Sequence, residues 1–275
     1  MNTVIHQVKI NFNVTPEIKR FVYVYIIAGE KGCYLIDSGV SGSETIIEKE
    51  LTQMGRSISD VKALFITHAH PDHIGGAAAL KRASGCQIYA SAGEASWIAN
   101  IDLQFKQRPI PDFYQLVSES VSPDHFLAEH DTVILEQGLT LQAISTPGHS
   151  TDEISFIMDK SAFIGDSVPV RGDIPIYVDV QQLRNSLHKL SALSEIHTFY
   201  PAWDQTYSRI EMQKKIKEAL EMIDKIGEAV ADVLKRDKKT DPPEIARAVC
   251  EKLQMPWLMG NPLFVKTIES HIRIL

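Results

Sequence analysis

The chain has 275 residues, a formal net charge of −7, 44% hydrophobic residues and 23% charged residues. That length suits one large domain, or a domain with an appendage, and the composition is that of a globular protein. No apolar run is long enough to span a bilayer, no polybasic patch argues for nucleic acid, and Met1–His6 lacks the basic and apolar regions of a secretory leader. The expectation is therefore a cytoplasmic protein with no membrane or nucleic-acid partner.

In chain order, Val4 to Phe12 and Phe21 to Ile27 read as strands, and Gly29 to Gly32 as a hairpin turn into a return strand, Cys33 to Ile36. Asp37-Ser38-Gly39 breaks that strand, and Ser43 to Met54 has helical spacing. A strand over Ala63–Ile66 leads into the most informative stretch, His68-Ala69-His70-Pro71-Asp72-His73. It sets three imidazoles and a carboxylate in six residues, the donor types that zinc, iron or manganese bind. A helix is expected from Ile74 to Ser84, with Gly75 and Gly76 where backbone approaches closely, and then a short strand over Gln87–Ala90.

Residues 92–130 carry Trp97, Phe105, Phe113, Tyr114 and Phe126 among breaking prolines, which predicts an inserted helical region outside the core sheet. It is read either as packed core or as a lid over a site. Strands resume at Thr132–Leu135 and Leu139–Ile144, followed by the turn Ser145-Thr146-Pro147-Gly148-His149. Next come strands Ile154–Met158 and Ala162–Ile164, the turn Gly165-Asp166-Ser167, a helix from Gln181 to Leu193, and a last strand, Thr198–Tyr200, before Pro201-Ala202-Trp203-Asp204.

From Tyr207 the pattern is helical. Met212, Ile216, Leu220, Ile223, Gly227, Val230 and Leu234 form one stripe, and Asp241 and Asn261 each cap a helix with Pro at its first position. Residues 205–275 hold 13 Lys and Arg against 11 Asp and Glu, which leaves −9 on the first 204 residues. The run Lys235 to Lys239 is expected to be solvated. The organisation expected is a catalytic domain over 1–204 and a helical extension over 205–275 packed on it. That tail is read as core packing, a homodimer contact or a wall over the site. Cys33, Cys86 and Cys250 are too far apart for a thiolate zinc site and are expected to be buried free thiols.

Three ligand-rich turns each follow a strand: His68–His73, His149 and Asp166. This order resembles the metallo-β-lactamase superfamily, in its glyoxalase II and lactonase-like branch. The HxHxDH motif stands as His68-Ala69-His70-Pro71-Asp72-His73, the TPGH turn as Thr146-Pro147-Gly148-His149, the GD turn as Gly165-Asp166, and the DxG turn as Asp37-Ser38-Gly39. The resemblance covers about residues 5 to 204. It implies an α+β fold, a four-layer αββα sandwich of two mixed sheets, with the C-terminal helices as an extension. It implies one metal on His68, His70 and His149 and a second on Asp72, His73 and Asp166, with Asp166 bridging. A metal-bound hydroxide would attack a carbonyl, and Asp72 would be the catalytic residue that orients it.

One departure stands out. The family's last histidine is expected in the turn after the final strand, and here Trp203 occupies that position. Either Asp204 supplies a replacement oxygen ligand, or the second site is weak or empty. The cofactor implied is thus one or two divalent ions, zinc or else iron or manganese. Tyr177, in the loop after the GD turn, and Trp203 are candidates for lining the pocket of a small-molecule substrate. The resemblance implies hydrolysis of a thioester or lactone. The rivals are a nuclease or phosphodiesterase, a non-haem iron oxidoreductase of the sulfur dioxygenase type, and a binding module that lost catalysis through Trp203.

Overall fold

The structure is a computed structural model that describes residues 4–237 and 241–275. Lys238 and Lys239 of the charged run, and Met1, Asn2 and Thr3 of the N-terminal stretch, lie outside the described residues.

Strands β1 (Val4–Asn13), β2 (Lys19–Ala28) and β3 (Cys33–Ile36) run antiparallel in sequence, and the hairpin closes where Gly29 N–H donates to Gly32 O. Helix α1 (Ser43–Gln53) crosses over to β4 (Val61–Phe65), which lies parallel to β3. Helices α2 (Pro71–Ile74) and α3 (Ala77–Ser84) lead to β5 (Gln87–Ser91). Helices α4 (Ala95–Ala99), α5 (Ile101–Gln107) and α6 (Phe113–Leu116) precede β6 (His125–Leu127), which completes a six-stranded mixed sheet in the order β1-β2-β3-β4-β5-β6.

A second mixed sheet follows. Its strands are β7 (Thr132–Glu136), β8 (Leu139–Ser145), β9 (Ile154–Met158), β10 (Ser161–Gly165), β11 (Thr198–Pro201) and β12 (Tyr207–Ser208), ordered β12-β11-β10-β9-β8-β7. Helix α7 (Val180–Ala192) joins β10 to the parallel β11. The chain ends in α8 (Arg209–Asp237), α9 (Pro242–Lys252) and α10 (Pro262–Ile272).

Side chains alternate between the faces of each strand, so each sheet has two surfaces to cover. In β2, Val22, Val24 and Ile26 face outward onto α1 and α3 through Ile47, Leu51 and Leu80. Tyr25 and Ile27 face inward with Ile36 and Phe65, and meet Leu141, Phe156 and Phe163 of the second sheet. That sheet's outer face, through Ile164 and Phe199, packs on Leu183 and Leu187 of α7 and on Met212, Ile216 and Ile223 of α8. The layers are helices, sheet, sheet, helices: the αββα sandwich that the motifs implied. The far half of α8 carries its stripe onto α9 and α10, where Val230 packs with Val249, Phe264 and Ile268.

Two local expectations need correcting. Residues 92–130 do contribute to the core sheet, because β6 pairs in parallel with β5 at its edge. The helix expected from Ile74 to Ser84 is two pieces, broken at Gly75 and Gly76. A Cβ on Gly75 would lie 2.2 Å from the Leu116 carbonyl oxygen, so α6 can cross here only over a glycine. His271, near the end of α10, is 2% exposed inside the tail. The three cysteines are free and buried, as expected.

Candidate metal centre

Strands β3, β4, β8, β10 and β11 all end at one edge of the sandwich, and the turns that follow them carry the polar residues. Cross-links between the turns fix that edge. Asp37 N–H donates to Phe65 O, Ile154 N–H to Thr67 O, and Ala202 N–H to Gly165 O. His70 caps α2, with Pro71 at the first helical position, so Asp72 and His73 are aimed by the first turn of a helix. Gly148, at φ +132, bends the second turn so that His149 points back across the edge.

His68, His70, His149 and Asp166 come together there, with one donor atom of each within 4.8 Å of all the others. His68 Nε2 and His149 Nε2 each lie 2.9 Å from His70 Nδ1. Asp166 Oδ2 lies 3.3 Å from His149 Nε2, 3.9 Å from His68 Nε2 and 3.5 Å from His73 Nε2. Ligands about 2.0–2.1 Å from a tetrahedral zinc stand roughly 3.4 Å apart, and these separations bracket that value.

The hydrogen-bond network assigns the ring tautomers. His149 Nδ1 donates to Ile176 O at 2.9 Å, so its Nε2 presents a lone pair. Thr67 Oγ1 donates to Asp37 Oδ2 and so accepts from His68 Nδ1 at 3.1 Å, which leaves a lone pair on His68 Nε2 as well. His73 Nδ1 donates to Asp37 Oδ2 at 2.8 Å, and its buried Nε2 has no hydrogen-bond partner. Both Asp166 oxygens are likewise buried and without a partner. One proton on His70 Nδ1 can satisfy only one of two facing lone pairs. Several inward lone pairs and an unpartnered carboxylate form a donor set that fits a cation.

The electrostatics agree. Burial, and then the neighbouring imidazoles, holds His68 well below the ordinary range, while burial followed by Arg108 and His149 does the same for His70. Burial pushes His149 down to about 4, so all three are neutral ligands. Burial works to lower His73 too, but Asp166, Asp37 and Asp72 outweigh it and hold His73 well above the usual value. Burial, reinforced by Asp166, raises Asp72. Carboxylates thus surround the site and call for positive charge.

The other candidates fall as follows. Asp72 Oδ2 lies 3.9 Å from His73 Nε2, and both flank the four-residue cluster beside Asp166. Asp204 borders a small cleft with His149, Asp166 and Trp203, but its oxygens accept from Gln205 N–H and Tyr207 O–H and it is not one of the clustered four. Trp203 lines the main cavity, under Arg20 at 5.8 Å from its ring, and its buried Nε1 has no hydrogen-bond partner. Tyr177 lies apart from that cavity. It is fully buried, and its hydroxyl meets His271 Nε2 at 2.7 Å.

The sequence marked Asp37 only as part of the DxG turn and did not mark the other supports. Asp37 accepts from Thr67 N–H, Thr67 O–H and His73. Glu94 is 3% exposed and accepts from Ala69 N–H, Ser150 O–H and Asp152 N–H, tying the first histidine turn to the second. Glu153 accepts from Asp166 N–H and stands 3.7 Å from His68, and burial followed by Asp166 raises its pKa well above normal. Arg108, at the end of α5, was missed for the same reason: no spacing pattern marks a lone residue.

Above the cluster lies a cavity of about 560 Å³. His70, Asp72 and His149 form its floor, and Phe12, Val14, Ile18, Ile110, Leu116 and Trp203 are among its apolar walls. Arg108, Ile110, Pro111 and Leu116, after α5, line one side, and Trp257, Pro262 and Leu263 of the tail wall another, while Ile98, Ile101, Phe113 and Val117 of the same region are packed in the core. No helix among the described residues is long and apolar enough to cross a membrane.

Comparison with known proteins agrees with this geometry. The model of the metallo-beta-lactamase superfamily matches residues 18–201. A hydroxyacylglutathione hydrolase of Hyphomonas neptunium is 29% identical over 70% of this chain and 71% of its own length. Another, of Saccharophagus degradans, is 24% identical over 92% of this chain and 86% of its own. Among solved structures, a metallo-beta-lactamase family protein of Thermus thermophilus superposes with a TM-score of 0.77 at 16% identity, covering 98% of this chain and 92% of that one. At that identity it speaks for the fold alone.

Proposed function

The chain belongs to the metallo-β-lactamase superfamily, and from that premise we propose that this metallo-hydrolase cleaves a carbonyl substrate, a thioester or a lactone. The observation that carries the reading is the meeting of His68, His70, His149 and Asp166 beside a largely apolar cavity that His70 and His149 line. Those four residues would hold one divalent ion. Asp72 and His73, sharing Asp166, would hold a second more weakly, since Trp203 offers no ligand atom and Asp204 is engaged elsewhere. When bound, such an ion polarises the substrate carbonyl and brings the pKa of a water toward neutrality.

The chain's own residues do the rest. Asp72, a stronger base than an ordinary carboxylate because it is buried, orients the attacking water and takes its proton. The water oxygen bonds to the carbonyl carbon as the C–S or C–O bond breaks. Asp72 then returns the proton to the departing thiolate or alkoxide. Asp37 and Glu94 hold the ligands still, and the apolar walls exclude bulk water.

Thioester cleavage is favoured by the relatives named hydroxyacylglutathione hydrolases. The acidic body and apolar cavity do not suit a nucleic-acid phosphodiester. The test is turnover of S-lactoylglutathione, simple acyl thioesters, lactones and bis(p-nitrophenyl) phosphate, with zinc, iron or manganese supplied. Thioester or lactone hydrolysis should fall at least about 100-fold in His149→Ala. Turnover confined to the phosphodiester, or oxygen uptake with a persulfide and no hydrolysis, would contradict the reading.

A further inference from the structure

Two guanidinium groups line the main cavity. Arg20 is committed to Asp173, with its Nη1 2.8 and 2.9 Å from the two carboxylate oxygens. Arg108 makes none of the side-chain hydrogen bonds or ion pairs found among the described residues. It lines the cavity beside His70 and Asp72. The carboxylates of Asp72, Asp166 and Glu94 act on its charge, but none is hydrogen-bonded to it, and a buried guanidinium whose donors are left unmade is costly. Its position is also fixed. Arg108 N–H donates to Gln104 O at 2.7 Å, and the fully buried Gln104 donates through Nε2 to Ala69 O, inside the histidine turn. The Arg108 backbone is thus tied, one helical turn away, to the loop that carries the metal ligands.

We propose that Arg108 is a specificity-determining residue that receives a carboxylate of the substrate next to the scissile carbonyl, and that the rest of the acyl group is apolar. This rests on the hydrolase reading for the place of the carbonyl. A guanidinium forms paired hydrogen bonds with a carboxylate. Its unmade hydrogen bonds match the two oxygens of one carboxylate. Phe12, Ile110 and Leu116 offer no partner for a polar acyl chain, and a cavity of about 560 Å³ holds an aromatic or branched group. The preferred class is therefore an apolar acyl thioester or lactone carrying one carboxylate close to the bond that breaks.

The test uses three thioesters of N-acetylcysteamine, with thiol release as the readout. The acyl groups are 2-benzylsuccinyl, its methyl ester, and succinyl. The wild-type holoenzyme should favour benzylsuccinyl over each of the other two by at least about tenfold in kcat/KM. Arg108→Met should bring the ratio of acid to methyl ester near one, and Arg108→Lys, which keeps the charge but not the fork, should fall between. A ratio near one in the wild type, or an unchanged ratio in Arg108→Met, overturns the proposal. If none of these three thioesters is cleaved, the hydrolase reading is decided by the wider panel of thioesters, lactones and phosphodiester. Arg108 is then judged by calorimetry with the uncleavable benzylsuccinyl amide. Tighter binding of the acid than of its methyl ester, lost in Arg108→Met, supports the proposal, and equal binding overturns it.

Discussion

At the scale of single residues, the site is a set of lone pairs held inward by partners on the far side of each ring. His73 is aimed by Asp37, His149 by the Ile176 carbonyl, and His68 by Thr67. Glu94 is the joint between two ligand turns, and each of its three hydrogen bonds comes from a donor. A Gln there must present an amide N–H to one of those donors. Glu94→Gln is therefore expected to weaken metal affinity about 10- to 100-fold while the fold persists, as read by competition with a chelator. Unchanged affinity would mean the turns are held without it. His68, His70, Asp72 and His73 were legible because ligands in close sequence spacing leave a pattern, and His149 and Asp166 because each sits in a turn after a strand that matches a family motif. Glu94, Glu153 and Arg108 were not, nor was the support role of Asp37 within its DxG turn, because a buried acid or base that works across a long sequence separation leaves no pattern.

At the scale of elements, the long strands were read within a few residues of their ends, since buried β-strands such as Val22 to Ile27 are rich in branched and aromatic residues. The misses were short elements that tertiary pairing creates. β6 is three mostly exposed residues and β12 is two. The turns between strands carry the function, and the tightest is at Gly148. Its φ of +132 excludes an ordinary side chain, and a Cβ there would stand 2.4 Å from the Leu183 backbone at the start of α7. Gly148→Ala must push α7 and the turn apart. We expect a loss of about 1–3 kcal/mol in stability together with a marked loss of bound metal, read by thermal melting and metal analysis. Full metal content in this variant would show that His149 does not depend on the turn for its aim.

At the scale of the whole molecule, the tail is joined to the site. Tyr177 N–H donates to Thr267 Oγ1, Tyr177 O–H meets His271, and Ile176, one residue earlier, holds His149. Burial, followed by Arg184, pushes His271 down to about 4. Free imidazole titrates near 6.5, so the unfolded chain takes up a proton that the folded chain refuses. The stability contributed is fully present above about 6.5 and is lost as pH falls toward 4, by up to about 3 kcal/mol. His271→Gln should flatten the fall in melting temperature over that window, and parallel curves for the two proteins would contradict this. The sequence showed the helices of the tail but not this contact, since Tyr177 and His271 are 94 residues apart. The whole account turns on a divalent cation held at the strand ends. The most direct measurement is metal content per chain, by elemental analysis, in wild type, His68→Ala and His149→Ala purified side by side. The wild type should carry at least one divalent ion per chain and the two variants far less; equal metal in all three would contradict the account.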